Sequence, residues 1–76
     1  MARATTYEEL DEIRAPGPLP EVGVETGDRG VVLEVFERPN LALLVEYADE
    51  EGRTKALVVY SSDLRQTFAV HPERST

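Results

Sequence analysis

The 76-residue chain has no cysteine and no tryptophan, and it has one methionine, one histidine and one lysine. Without cysteine there are no disulfides, no thiolate metal ligands and no cysteine nucleophile. The histidine, His71, stands next to Pro72 late in the sequence, so we expect neither a catalytic triad nor a multi-histidine metal site. These absences argue against an enzyme, and we predict no catalytic, cofactor-binding or metal-binding residues.

Long hydrophobic runs are also missing. No segment approaches the roughly 20 apolar residues that a membrane span needs. The first ten residues carry Arg3, Glu8 and Glu9 rather than the apolar core of a signal peptide. We therefore expect a soluble cytoplasmic protein with no membrane partner. The scarcity of asparagine, glutamine, cysteine and methionine is typical of thermophilic proteins, although a GC-rich genome gives the same bias.

The charge balance is strongly acidic. Fifteen acidic residues against eight basic ones give a net charge of −7. Nucleic acid is therefore a poor partner, because Lys and Arg contacts to phosphate supply most of that affinity. A basic protein partner is compatible with this surface. The alternative is that the charge only keeps a small domain soluble.

Apolar and β-branched residues fall into five short stretches separated by turn residues. The predicted strands lie at about 10–15, 29–36, 41–48, 53–60 and 67–70. Segment 61–65 is expected to form a single 3₁₀ turn before the last strand, with a serine hydroxyl as its cap. Short strands without a covering helix favour an all-β fold, a small closed or partly closed barrel.

Two turns contain glycines that are expected to set the bends of the chain. The G-D-R-G motif at 27–30 precedes an apolar strand, and its glycines allow positive φ. The side chain of Asp28 is expected to hydrogen-bond its own backbone there. A second turn, with an acidic tip at 49–51 that we expect to be solvated, ends in a glycine. The predicted structural turn residues are Gly27, Asp28, Gly30 and Gly52.

The ends of the chain are polar. We expect a flexible N-terminal segment over 1–9, where Thr6 to Glu9 fit a capping box and one helical turn. The barrel is expected over 10–70, and a flexible tail over 71–76. The proline-rich stretch 16–20 can be neither helix nor central strand. Val22 and Val24, which follow it, are expected to turn inward.

The predicted strands at 29–36 and 53–60 are apolar on both faces, whereas a barrel this small needs only one apolar face. The predicted core residues are Leu33, Val35, Leu43, Val45, Tyr47, Val58 and Leu64. For the second strand, the face that turns inward is left open by one residue. Leu10 and Ile13 are the expected apolar anchors of the first strand. The second face either packs under the loop at 16–26 and the termini or is a contact surface, and we expect part of it to bind a partner or a second copy of the chain. Its residues are Val32, Phe36, Leu44, Leu57 and Val59. Glu46 is expected to pair across the strands with Arg53 or Lys55.

Several short motifs occur in order between Leu10 and Arg65. They are L-D-E-I at 10–13, L-P-E-V-G-V at 19–24, G-D-R-G-V-V-L-E-V at 27–35, L-V-E-Y at 44–47, E-G-R-T at 51–54 and S-D-L-R at 62–65. In these motifs the chain resembles a family of small bacterial proteins catalogued as domain of unknown function 4926. Tyr47 stands where that family usually has phenylalanine. The resemblance implies a five-stranded SH3-like β-barrel, and it implies no activity and no binding residues.

These observations together predict a small acidic interaction module that docks on a protein partner or self-associates. The alternative is a nucleic-acid-binding SH3-like barrel. That alternative requires a basic face that carries aromatic side chains, and the net charge of −7 disfavours it.

Overall fold

The computed structural model describes residues 7–73, which form one antiparallel sheet of five strands in the order of the sequence. The strands are β1 (Glu12–Arg14), β2 (Arg29–Phe36), β3 (Ala42–Ala48), β4 (Thr54–Ser61) and β5 (Thr67–Pro72), and a 3₁₀ turn covers Pro20–Val22. The predicted all-β fold with five strands is therefore confirmed. The described part of the chain has no helix that is long and apolar enough to cross a membrane.

The hairpin between β3 and β4 shows how local sequence sets the turns. Gly52 has a φ of +84°, which a residue with a Cβ adopts only at a cost. The Asp49 carboxylate accepts hydrogen bonds from the backbone N–H groups of Glu51 and Arg53, each at 2.9 Å. These bonds, with that from Arg53 as the larger cause, lower the pKa of Asp49. The acidic tip is therefore a turn held by its own backbone.

The core lies on one face of the sheet, which we call the inner face. Alternate residues of β3 and β4 point to this face, as the pleat of a strand requires. The loop after β1 crosses over them, so Val22 and Val24 are buried as predicted. The buried cluster consists of Ile13, Ala15, Val22, Val24, Val32, Leu43, Val45, Tyr47, Ala56, Val58 and Tyr60. It confirms the predicted burial of Leu43, Val45, Tyr47 and Val58.

A β-bulge reverses the facing of β2 along its length. The register against β3 shifts between Val32 and Glu34, so the residue between them is extra and the alternation restarts after it. Val32 is fully buried, whereas Leu33 is 38% exposed. The prediction that Leu33 is a core residue is wrong, and so is the prediction that Val32 is an interface residue. Val35, beyond the bulge, is partly buried against the core.

We expect the two residues at the bulge to differ sharply in their contribution to stability. Val32→Ala should lower the free energy of unfolding by about 2 kcal/mol, because it removes buried methyl groups and leaves a cavity. Leu33→Ala should change it by no more than about 0.5 kcal/mol, as is usual for exposed positions. Urea denaturation followed by circular dichroism measures both. Equal losses would contradict the bulge.

The described sheet is open rather than closed. Among residues 7–73, β1 and β5 are the two edges, and β1 pairs only with β2. The resemblance implied a barrel, but these residues do not close one. The inner face is covered instead by the loop that carries Val22 and Val24.

The segment between β4 and β5 is a turn and not a 3₁₀ helix. Leu64 has a φ of +64°, whereas a 3₁₀ helix needs negative φ. The hydroxyl of Ser61 does act as a cap, since it accepts the backbone N–H groups of Arg65 and Gln66 at 3.1 and 3.0 Å. Leu64 is partly buried against the core. Within residues 7–73, the 3₁₀ turn lies before β2 and not before the last strand.

Both ends of the domain differ from their predicted limits. Leu10 is 78% exposed and has a φ of +72°, so it is not an anchor of β1, whereas Ile13 is buried as predicted. The last strand continues to Pro72, so that His71 and Pro72 belong to β5 and not to a tail. The predicted helical turn begins at Thr6, which lies outside the described residues. The other predictions for 1–6 and 74–76 also lie outside them.

Candidate functional site

The sheet face opposite the core, which we call the outer face, is apolar along its middle. Leu44 in β3 pairs with Val59 in β4, and Val59 pairs with Ala69 in β5. Leu57 lies two residues from Val59, so it shares the same face. All four side chains are partly exposed. The structure therefore brings together three of the residues predicted for an interface, Leu44, Leu57 and Val59.

An open groove of about 440 Å³ lies at one end of the outer face. It is lined by Phe36, Arg38, Pro39, Asn40, Ala42 and Phe68. Phe36, the fourth predicted interface residue that lies on this face, pairs with Ala42 at the end of the β2–β3 ladder. Phe68 comes from the opposite edge of the sheet and is 49% exposed. The two phenyl rings and Ala42 give the groove its apolar character.

Phe68 is the largest exposed side chain of this site that sequence reasoning missed; Arg38, Pro39, Asn40, Ala42 and Ala69 were not predicted either. The ladder between β4 and β5 shifts register between Val59 and Tyr60, where Thr67 and Ala69 are the paired residues of β5. Phe68 is the extra residue of this bulge, and bulges re-aim side chains. The sequence does offer one indication, a large aromatic residue in the predicted strand at 67–70. The prediction for that strand does not say which of its side chains face the core.

Two carboxylates border the apolar part of the outer face. Glu34 pairs with Leu44, and Glu46 pairs with Leu57, so both lie beside the leucines. Glu46 accepts a hydrogen bond from the hydroxyl of Thr54. The predicted partners of Glu46 are engaged elsewhere: Arg53 pairs with Glu51, and Lys55 pairs with Asp28, so this prediction is wrong. The face thus combines an apolar middle with anionic groups.

The G-D-R-G motif forms the bend before β2, as predicted, but its two glycines have different structural roles. Gly27 has a φ of +88°, and Asp28 accepts the backbone N–H of Glu25 at 2.9 Å. Gly30 has no positive φ. It is buried in β2 opposite Tyr47, whose ring lies where a Cβ would stand. The second glycine is therefore required by packing rather than by the turn.

The opposite end of the sheet is polar, and its contacts are structural. The ammonium of Lys55 donates to the carbonyl of Gly23 at 2.8 Å and lies 3.7 Å from the carboxylate of Asp28. These contacts tie the loop before β2 to β4. Within residues 7–73, no three histidine, aspartate or glutamate side chains converge as a metal site requires.

Comparison with known proteins places the chain in one family. The family described as domain of unknown function (DUF4926) matches residues 9–65, which is most of the chain. No curated protein matches the chain, and no solved structure matches it. Since the match covers β1 to β4 and the turn that follows them, the chain belongs to the DUF4926 family.

Proposed function

We propose that this protein is a non-enzymatic interaction module that docks on a basic protein partner through its outer face. The observation that carries the proposal is the groove at the end of that face, with Phe68 half-exposed at its edge. Aromatic side chains, phenylalanine included, are enriched in the cores of protein interfaces, and those that fill a pocket act as energetic anchors. The absence of cysteine is compatible with the cytoplasm as the proposed compartment.

The carboxylates beside the apolar middle of the outer face support a basic partner there, whereas the groove itself is lined by one cation, Arg38. Glu34 and Glu46 border the apolar middle of the outer face, and the whole chain carries a net charge of −7. Burying a carboxylate at an interface without a cation is costly, so the partner should bring Lys or Arg to these two positions. A second acidic copy docking face to face would bring carboxylates together instead.

The test uses the full chain as bait in an extract of the organism that encodes it, followed by measurement on the purified pair. Phe68→Ser removes the exposed anchor, and Leu10→Ser is the matched control, since it also removes an exposed apolar side chain but lies outside the groove. Phe68→Ser should raise the Kd for the partner by at least about 30-fold, as expected for an anchor residue. Leu10→Ser should leave the Kd unchanged.

Two results would overturn the proposal. Equal effects of Phe68→Ser and Leu10→Ser would show that the groove is not the docking surface. Tight binding of RNA or DNA in a gel shift at low salt would favour the nucleic-acid-binding alternative. Added salt provides a further check, because a contact between Glu34 or Glu46 and partner cations should weaken as ionic strength rises.

A further inference from the structure

The β5 strand differs from the other four strands in its charge. It runs from Thr67 to Pro72 and contains no formally charged residue, with His71 counted as neutral. Each of the other four described strands carries at least one charge: Glu12 and Arg14 in β1, Arg29 and Glu34 in β2, Glu46 in β3 and Lys55 in β4. Of the two edge strands, β5 is therefore the one that brings no charged side chain to another copy, whereas β1 brings Glu12 and Arg14.

The two edges of the sheet are protected to different degrees. The β1 edge is only three residues long, and its Glu12 and Arg14 are exposed charges of the kind that discourage strand addition. Among the described residues, β5 pairs with β4 and with no other strand. Thr67, Phe68 and Val70 are of types that suit a strand, and proline enters only at position 72. Apart from the bulge at Phe68, its outer edge thus presents backbone groups that can extend a sheet.

We propose that two copies of this chain associate by antiparallel pairing of their β5 strands, which joins two sheets into one of ten strands. A two-fold axis uses the same segment on both copies, so no other strand is needed. The antiparallel direction brings Glu73, just after β5 in one copy, toward the segment before β5 in the other. Arg65 and Asp63, 3.8 Å apart, sum to no net charge there, so Glu73 meets no net like charge.

The pairing would also extend the outer face. Phe68 belongs both to β5 and to the groove, so joining the β5 edges sets the two grooves side by side across the two-fold axis. This inference does not depend on the proposed docking function. Self-association is measured on the purified protein alone, whereas docking is measured with the partner.

The experiment is sedimentation equilibrium on the full chain at pH 8, from about 10 µM to about 1 mM, a range in which mass action reveals weak dimers. The wild type should approach twice the 8.5 kDa chain mass. The double substitution Thr67→Lys with His71→Lys puts cations on both ends of β5, at exposed positions. It should raise the dimer dissociation constant by at least about tenfold, because like charges then oppose each other across the new ladder.

The matched control is Glu21→Lys, an exposed position in the 3₁₀ turn. It changes the net charge of the chain by the same two units as the double substitution does. Because position 21 lies outside β5, Glu21→Lys should leave the dimer intact. A wild type that stays at 8.5 kDa throughout would overturn the inference, and so would a dimer that the two lysines do not weaken. Hydrogen exchange of the wild type adds a readout without mutation: β5 amides should gain protection as concentration rises, and concentration-independent exchange would contradict the pairing.

Discussion

Gly30→Val should destabilise this protein more than any other substitution of a glycine. A Cβ built on Gly30 would stand 2.7 Å from the Cγ1 of Val45 and 2.8 Å from the Cε1 of Tyr47. Both neighbours are fully buried, so neither side chain can move away into solvent. Overpacking of this kind typically costs about 1–3 kcal/mol. Valine adds three carbons against two buried side chains, which places the loss at or above about 3 kcal/mol.

Two other glycines provide the controls for this prediction. At Gly17 no atom lies within 4 Å of the place that a Cβ would take, and φ is not positive, so Gly17→Ala should be neutral or slightly stabilising. Gly27 also has space but has a φ of +88°, so Gly27→Ala should cost about 1–2 kcal/mol. Denaturation curves of the three variants test this order. A loss at Gly30 no larger than that at Gly27 would contradict the packing against Tyr47.

The strands of this fold follow from local sequence, and the departures from prediction have local causes that the sequence does not show. Arg29–Phe36 is a strand with the predicted limits, because β-branched and apolar residues follow a glycine turn there. Which of its side chains enter the core depends on a bulge, which is a feature of the pairing with β3 and not of β2 alone. Alternation by itself therefore assigned Leu33 and Val32 to the wrong faces.

Part of the candidate site could be predicted, because simple alternation does hold in two of the strands that build it. Leu44, Leu57 and Val59 lie on the outer face because β3 and β4 keep simple alternation through these positions. The groove could not be predicted, since it needs Phe36 and Phe68 from distant parts of the chain to approach each other. The partner of Glu46 was also beyond prediction, because a register shift next to Tyr47 places Thr54 opposite Ala48.

A buried pair of tyrosines gives the second large expected effect. The hydroxyls of Tyr47 and Tyr60 lie 2.7 Å apart in the core, so one donates a hydrogen bond to the other. Replacing either tyrosine with phenylalanine leaves the remaining hydroxyl buried without this partner, which should cost about 1–3 kcal/mol. Replacing both removes the unsatisfied group as well. The double variant should therefore cost less than the sum of the two single variants, and additive losses in this double-mutant cycle would contradict the hydrogen bond.

The same pair should make the protein sensitive to alkaline pH. Burial, reinforced by the bond to Tyr60, holds the pKa of Tyr47 above its ordinary value, and burial also raises the pKa of Tyr60. Above about pH 10 the unfolded chain releases these protons while the folded chain keeps them, so the free energy of unfolding falls as pH rises.

The expected slope is up to about 1.4 kcal/mol per pH unit for each buried tyrosine. Because the two groups interact, they should titrate as a pair. Their tyrosinate absorbance, taken as the difference between the wild type and the variant with phenylalanine at both positions so that Tyr7 cancels, should appear together with unfolding rather than before it. The variant with phenylalanine at both positions should keep its stability to higher pH than the wild type in urea denaturation curves between about pH 8 and 11.5. Identical pH profiles for the two proteins would show that the alkaline loss does not arise from this pair.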